Sequence, residues 1–142
     1  MSMQDSAPQG WKPVKAAAFM ELIGPLLRST KLEGKNTYGL QTNDRHNNPI
    51  GLVHGGVLTS LLDHVVALAA WNAAGRVPTV TIQMDTQFLG AAKSGDFLEA
   101  RASIRHLTRS LVFIDAEVFC ANGPIASASA ILKILQKSGQ SK

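Results

Sequence analysis

Hydrophobic positions repeat with a helical period in one stretch of the chain and with a strand period in the next. From His54 to Ala74, apolar residues recur every three or four positions, the spacing of one face of an α-helix. Gly75 follows as a residue that ends helices, and Pro78 lies just beyond it. From Thr79 onward, apolar and polar residues alternate, which is typical of half-buried strands. The pattern predicts one long helix followed by strands.

Four strands are predicted after the helix, each with one face toward the core. The residues expected on that face are Val80, Ile82, Met84 and Phe88 in the first strand, Leu98, Ala100, Ala102 and Ile104 in the second, Val112, Ile114, Ala116 and Val118 in the third, and Ala126, Ala128, Ala130, Leu132 and Ile134 in the fourth. Short connections, which join antiparallel neighbours, are expected at Lys93–Asp96, Thr108–Arg109 and Asn122–Gly123. We therefore expect an α+β fold, with an antiparallel sheet wrapped around one buried helix.

The chain before the long helix is less regular. Lys15–Leu27 predicts a short amphipathic helix that Pro25 bends or ends. Lys31–Thr42 is weakly strand-like and is interrupted at Glu33–Asn36, which is compatible with a hairpin.

Length and composition fit a single domain. With 142 residues, 45% of them hydrophobic and 17% charged, the chain can build one core. We place this domain at residues 11–135 and expect the polar ends, 1–10 and 136–142, to be disordered tails.

Charge and cysteine content limit the classes of binding partner and the cellular compartment that we expect. The net charge of +4 is spread along the chain without a basic stripe, so we expect no nucleic-acid partner, whereas an anionic small ligand fits. The polar start with Asp5 is unlike a targeting peptide, and we expect no membrane span. The lone Cys120 suits a cytoplasmic protein. The four histidines lack the spacing of metal ligands, so no metal site is expected.

Asp63 is the residue that the helix pattern leaves unexplained. Its neighbours are mostly apolar, and carboxylates are rarely buried without a partner. Steps of three and four from Asp63 lead through small residues, namely Gly56, Ser60, Ala67, Ala70 and Ala74. Such a stripe lets another backbone approach, and the sequence predicts no second long helix, so we infer a homodimer in which the same helix of a second copy packs here. An interface acid without a catalytic role is the alternative.

A Gly-Gly pair opens the helix. Gly55 and Gly56 leave backbone N–H groups bare at the positive end of the helix dipole, which suits a ligand or a developing oxyanion. A tight turn would account for the same pair, so the pair alone does not define a site.

The stretch NNPIGLVHGGVLTSLLDHVVALAA resembles the signature of the PaaI-like acyl-CoA thioesterases of the hotdog superfamily. That signature has an Asn shortly before a His-Gly-Gly and then an Asp on the long helix. The resemblance covers residues 30–135 and implies the hotdog fold, hydrolysis of acyl-CoA without a cofactor, and a homodimer that can pair into a homotetramer. The alternative from another functional class is a hotdog module that binds acyl-CoA without turnover, as a sensor or regulator.

The resemblance also implies roles for individual residues. The residue matching Asp63 activates the attacking water or attacks directly, while the N–H matching Gly55 and the side chain matching Asn48 polarise the thioester carbonyl. His54 matches the motif histidine, with a positioning role. Thr81 stands where a hydroxyl often assists the carboxylate. Because Thr81 lies on the polar side of its strand, reaching Asp63 requires either a partner subunit or a bulge.

Helix geometry argues for a site shared between two subunits. Gly55 and Asp63 are eight residues apart in the sequence. At about 1.5 Å per residue they are ~12 Å apart along the axis. One copy of the helix therefore does not bring both groups to one thioester carbon, whereas two antiparallel copies can. We expect Asp63 of one subunit to face Asn48 and Gly55 of the other.

The remaining substrate contacts are expected from glycine and basic residues. Gly56 would bind substrate with Gly55. The candidates for the coenzyme A phosphates are Arg101, Arg105, Arg109 and Lys93, because cationic side chains bind phosphates. The alternative for each is an exposed strand charge that keeps the sheet soluble.

Overall fold

The computed structural model describes residues 7–15, 18–31 and 33–135. Its elements in chain order are β1 (Trp11–Pro13), α1 (Phe19–Ile23), β2 (Leu26–Ser29), β3 (Thr37–Gln41), a 3-10 turn (Asp44–His46), α2 (Gly55–Ala73), β4 (Thr79–Phe88), β5 (Phe97–Leu107), β6 (Leu111–Cys120) and β7 (Gly123–Ile134). The predicted tails at 1–6 and 136–142 lie outside the described residues. Gly10, which we had assigned to a tail, accepts a hydrogen bond from the Thr30 N–H at 2.9 Å.

The long helix α2 forms the centre of the core. His54 is its N-cap and Ala74 its C-cap, so the predicted bounds are confirmed to within a residue. Its fully buried side chains, which include Leu61, Leu62 and Val65, pack against the sheet. By length and composition alone α2 could cross a membrane, but a helix enclosed by its own sheet has the same composition.

The seven strands form one antiparallel sheet in the order β1-β2-β3-β5-β6-β7-β4. The predicted hairpins β5–β6 and β6–β7 are confirmed. The hairpin predicted at Lys93–Asp96 is wrong, because β4 pairs with β7 and β5 pairs with β3. The chain leaving β4 is first fixed to the start of β7, where the N–H groups of Leu89 and Gly90 donate to the Ile125 carbonyl. It then crosses to the central strand, β5.

The N-terminal part differs from the predicted pattern. The helix expected over Lys15–Leu27 is limited to the five residues of α1, since the chain after Pro25 enters β2. Leu26 is buried and pairs with Leu40 of β3, so tertiary pairing overrides the helical spacing. The hairpin suggested within Lys31–Thr42 therefore starts upstream, at β2.

The inward faces of β5, β6 and β7 are as predicted, whereas that of β4 is not. The register of β4 against β7 shifts between Thr81 and Gln83. Met84 pairs with an inward residue of β7, and so does Thr81, so the bulge turns Thr81 toward the helix. Val80 and Ile82, which we had placed in the core, are 43% and 54% exposed.

Strand β4 is an open edge of this sheet. It is ten residues long and pairs only with β7 among the described strands. Its exposed apolar side chains continue past the strand end, from Val80 and Ile82 to Phe88 and Leu89. Long apolar edges of this kind are sites of pairing with another chain.

Candidate active site

Asp63 and Thr81 are joined directly where α2 packs against β4. The Thr81 hydroxyl donates a hydrogen bond to Asp63 Oδ1 at 2.7 Å. Of the two arrangements that could bring Thr81 to Asp63, the bulge is the one that the fold contains. Asp63 itself is exposed on the helix surface, and no other described residue donates a hydrogen bond to its second carboxylate oxygen.

The small-residue stripe of α2 is only partly as predicted. Gly56 and Asp63 are exposed, and Ser60 is half-buried. Ala67 is half-buried and packs against the core, and Ala70 is fully buried in it. The exposed row continues instead through Trp71, over which the Arg76 guanidinium lies 5.3 Å from the ring centroid.

His54 holds the start of α2 through its side chain. Its Nδ1 accepts a hydrogen bond from the Gly56 N–H at 2.8 Å, which makes it the N-cap of the helix. A Cβ atom at Gly56 would lie 3.0 Å from His54 Nδ1, so glycine leaves room for the capping ring. The Gly56 N–H is thus occupied, which corrects the expectation that it is free for substrate.

The Gly55 N–H is the free donor at the helix start. It is in the first turn, where no helical acceptor exists, and no other described residue accepts from it. The ring of Phe88 lies beside it, 3.4 Å from where a Cβ at Gly55 would stand. Sequence reasoning missed Phe88 as a site residue because its alternation assigned it to the core, yet it is 56% exposed.

Asn48 offers a second donor in the preceding loop. Its Oδ1 accepts from the N–H groups of Ile50 and Leu52, both at 3.0 Å. Two backbone donors fix the orientation of the amide, so Nδ2 is the group left to donate to a ligand. Asn48 can therefore stabilise the turn through Oδ1 and donate to a ligand through Nδ2.

The arginines predicted to bind phosphates lie elsewhere. Arg101 forms an ion pair with Glu99 at 3.2 Å, and Arg105 forms one with Asp115 at 3.4 Å. Both pairs are on the outer face of the sheet, since the alternate residues of β5 and β6 face the helix. The sheet separates them from Asp63 of the same chain, and their role at the phosphates of coenzyme A stays a prediction.

Two basic candidates remain. Arg109 is exposed in the turn between β5 and β6, and its role in substrate binding stays a prediction. Lys93 forms a bridge with Leu52 and so lies next to the Asn48 loop. Within residues 7–15, 18–31 and 33–135 no cluster of metal-ligating side chains occurs.

His64 is half-buried next to Asp63 in the sequence. Burial lowers the pKa of its imidazole from 6.5, and the neighbouring Asp63 carboxylate opposes the shift by favouring the charged form. Desolvation is the larger of the two effects. His64 is therefore a neutral group beside the carboxylate at pH 7.

Comparison with known proteins assigns the family. Residues 50–127, more than half of the chain, match the thioesterase superfamily. The chain belongs to the thioesterase superfamily, which confirms the class of enzyme expected from the Asn, His-Gly-Gly and Asp signature.

Two relatives share most of their length with this chain. PA0474 of Pseudomonas aeruginosa, named as a candidate esterase, is 27% identical over 131 residues, which cover 91% of this chain and 98% of that protein. Human acyl-coenzyme A thioesterase 13 is 24% identical over 104 residues, which cover 73% of this chain and 74% of that protein.

Solved structures confirm the hotdog fold. The PaaI protein of E. coli superposes with a TM-score of 0.65 at 22% identity, over 70% of this chain and 72% of that one. The smu.793 protein of Streptococcus mutans, solved with acetyl-CoA bound, gives a TM-score of 0.64 at 23% identity, over 71% of this chain and 81% of that one.

The opposing effects on His64 give a titration test. NMR titration of the imidazole is expected to give a pKa below 6.5, and Asp63→Asn is expected to lower it further by removing the favouring charge. As the pH falls below 6.5, the His64 imidazole takes up a proton in the unfolded chain at a higher pH than in the folded protein. The free energy of unfolding therefore decreases as the pH falls. A His64 pKa above 6.5, or a rise in Asp63→Asn, would contradict this account.

Proposed function

We propose that this protein hydrolyses acyl-CoA thioesters to the free acid and coenzyme A. The observation that carries the proposal is the hydrogen bond from Thr81 to Asp63, which holds a carboxylate on an open helix face in a chain of the thioesterase superfamily. The names of two similar proteins support the substrate class, since one is an acyl-coenzyme A thioesterase and another was solved with acetyl-CoA.

Asp63 acts as the general base in this proposal. Thr81 holds Oδ1, which leaves Oδ2 to accept a proton from water. The water oxygen then bonds to the thioester carbonyl carbon and forms a tetrahedral oxyanion. When the C–S bond breaks, the thiolate of coenzyme A leaves and takes the proton from Asp63, which restores the carboxylate.

The start of α2 stabilises the oxyanion. The Gly55 N–H is unoccupied among the described residues and points from the positive end of a 19-residue helix. Asn48 Nδ2 adds a second donor. Removal of one oxyanion-hole donor lowers kcat on the order of a hundredfold to a thousandfold.

The base and the oxyanion donors belong to different subunits. Gly55 and Asp63 are eight positions apart on one helix. They are ~12 Å apart along the axis, too far for one carbonyl carbon to contact both. A second copy with its α2 antiparallel to the first brings the Gly55 of one subunit toward the Asp63 of the other.

The open edge of β4 supports this assembly. Two β4 edges related by a two-fold axis can pair, which extends the sheet across both subunits and covers Val80 and Ile82. Because α2 packs against β4, the same axis places the exposed faces of the two helices near each other. Small residues such as Gly56 and Ser60 let these faces approach.

The role of Asp63 is tested by removing its charge alone. Asp63→Asn is expected to lower acyl-CoA hydrolysis at least a thousandfold while leaving the fold and acyl-CoA binding intact, because an amide does not accept the water proton. Thiol release from a panel of acyl-CoAs measures the rate. The matched control is Asp85→Asn, since Asp85 is exposed on the outer face of the neighbouring strand and pairs in register with Ser129.

Three outcomes separate the hypotheses. Loss of turnover in Asp63→Asn but not in Asp85→Asn supports the mechanism. Near-normal turnover in Asp63→Asn contradicts it. A wild-type protein that binds acyl-CoA in calorimetry yet releases no thiol would favour the non-catalytic binding module.

The β4 interface is tested by charging its edge. Ile82→Lys is expected to convert a dimer into a 15 kDa monomer in sedimentation, because an edge lysine blocks strand pairing. Leu22→Lys is the control, since Leu22 is 73% exposed but lies on α1. A wild-type protein that is monomeric at micromolar concentration, or a dimer that Ile82→Lys leaves intact, would rule out this interface.

A further inference from the structure

His46 is a buried polar residue at the base of the loop that carries Asn48. It is only 2% exposed, and the proposed chemistry gives it no part. It ends the short 3-10 turn and directly precedes the segment that leads to His54 and Gly55. Burial of a polar side chain destabilises the fold unless its polar atoms form hydrogen bonds.

Both ring nitrogens of His46 are used. Nδ1 accepts from the Asn43 N–H at 3.0 Å, and Nε2 lies 2.6 Å from the Ile23 carbonyl oxygen. An acceptor role for Nδ1 and a carbonyl at Nε2 together require the neutral ring with its proton on Nε2. The side chain thereby fixes residue 46 against both its own turn and the end of α1.

The backbone of His46 is hydrogen-bonded to the start of α2. Its carbonyl accepts from the His54 N–H at 2.8 Å, and the next residue, Asn47, forms a bridge with Val53. His54 in turn caps the helix, and Gly55 follows it directly. The Gly55 N–H and Asn48 Nδ2 therefore depend for their positions on the loop from His46 to His54, whose ends this hydrogen bond joins.

We propose that His46 is a positioning residue for the oxyanion hole. It contacts no substrate and acts through the backbone that sets the direction of the Gly55 N–H and the place of Asn48. This inference rests on the proposed thioesterase function. Misplaced donors weaken transition-state stabilisation more than substrate binding, so the loss should appear in kcat and leave KM nearly unchanged.

Two substitutions of His46 remove its side-chain hydrogen bonds to different extents. His46→Phe keeps an aromatic ring but removes both hydrogen bonds, and it is expected to lower kcat at least tenfold with KM within about twofold. His46→Gln carries an amide N–H that can reach the Ile23 carbonyl, so it is expected to recover part of the loss. The control is Thr37→Val, since Thr37 is a second buried polar residue, 9% exposed, but begins β3, outside the loop that runs from Asn43 to His54.

Amide hydrogen exchange tests the same inference without an activity assay. The His54 amide, which donates to His46, is expected to exchange at least tenfold faster in His46→Phe than in wild type and at the wild-type rate in Thr37→Val. If His46→Phe does not fold, His46→Gln supports the inference when it shows the same two changes at smaller size.

Two results would overturn the positioning role. One is a His54 amide that stays protected in both His46 variants. The other is a kcat of His46→Phe that falls no further than that of Thr37→Val. If the wild-type protein hydrolyses no acyl-CoA, the proposed function fails, and the exchange data then decide separately whether His46 fixes the helix start.

Discussion

The sheet encloses helix α2 on one side only, and the rest of the structure follows from that constraint. Leu61, Leu62 and Val65 fill the enclosed side and hold the helix in place by burial, which is the largest favourable term in folding. The open side carries small residues and Asp63. A carboxylate that would be costly inside the core thus lies on the exposed face of the core helix, where the Thr81 hydroxyl orients it.

Strand β4 connects this helix face to the edge of the molecule. Its bulge at residues 81–83 reverses which side chains face α2, so a threonine rather than an isoleucine meets Asp63. The same irregularity leaves Val80 and Ile82 exposed along an unpaired edge. One local distortion therefore has two effects: it brings a hydroxyl to the carboxylate, and it leaves an apolar edge exposed.

The sequence predicted best what depends on neighbours in the chain. The bounds of α2, its end at Gly75 and the inward faces of β5, β6 and β7 all follow from local periodicity. The pairing of β4 with β7 and the bulge could not be predicted, because both depend on contacts between segments some 50 residues apart. The Asn, His-Gly-Gly and Asp pattern pointed to the candidate site, whereas Arg101 and Arg105 were chosen for charge alone, although strand alternation already put them on the face of the sheet away from the helix.

The central claim is that Asp63 works with Asn48 and Gly55 of another subunit. Asp63→Asn and Asn48→Ala chains, denatured and refolded together in equal amounts, should form mixed dimers in which one of the two sites is fully wild type. Random pairing makes about half of the dimers mixed, so about a quarter of the wild-type activity should return, measured against each variant refolded alone. Activity no higher than the average of the two parents would place the whole site within one chain and contradict the account.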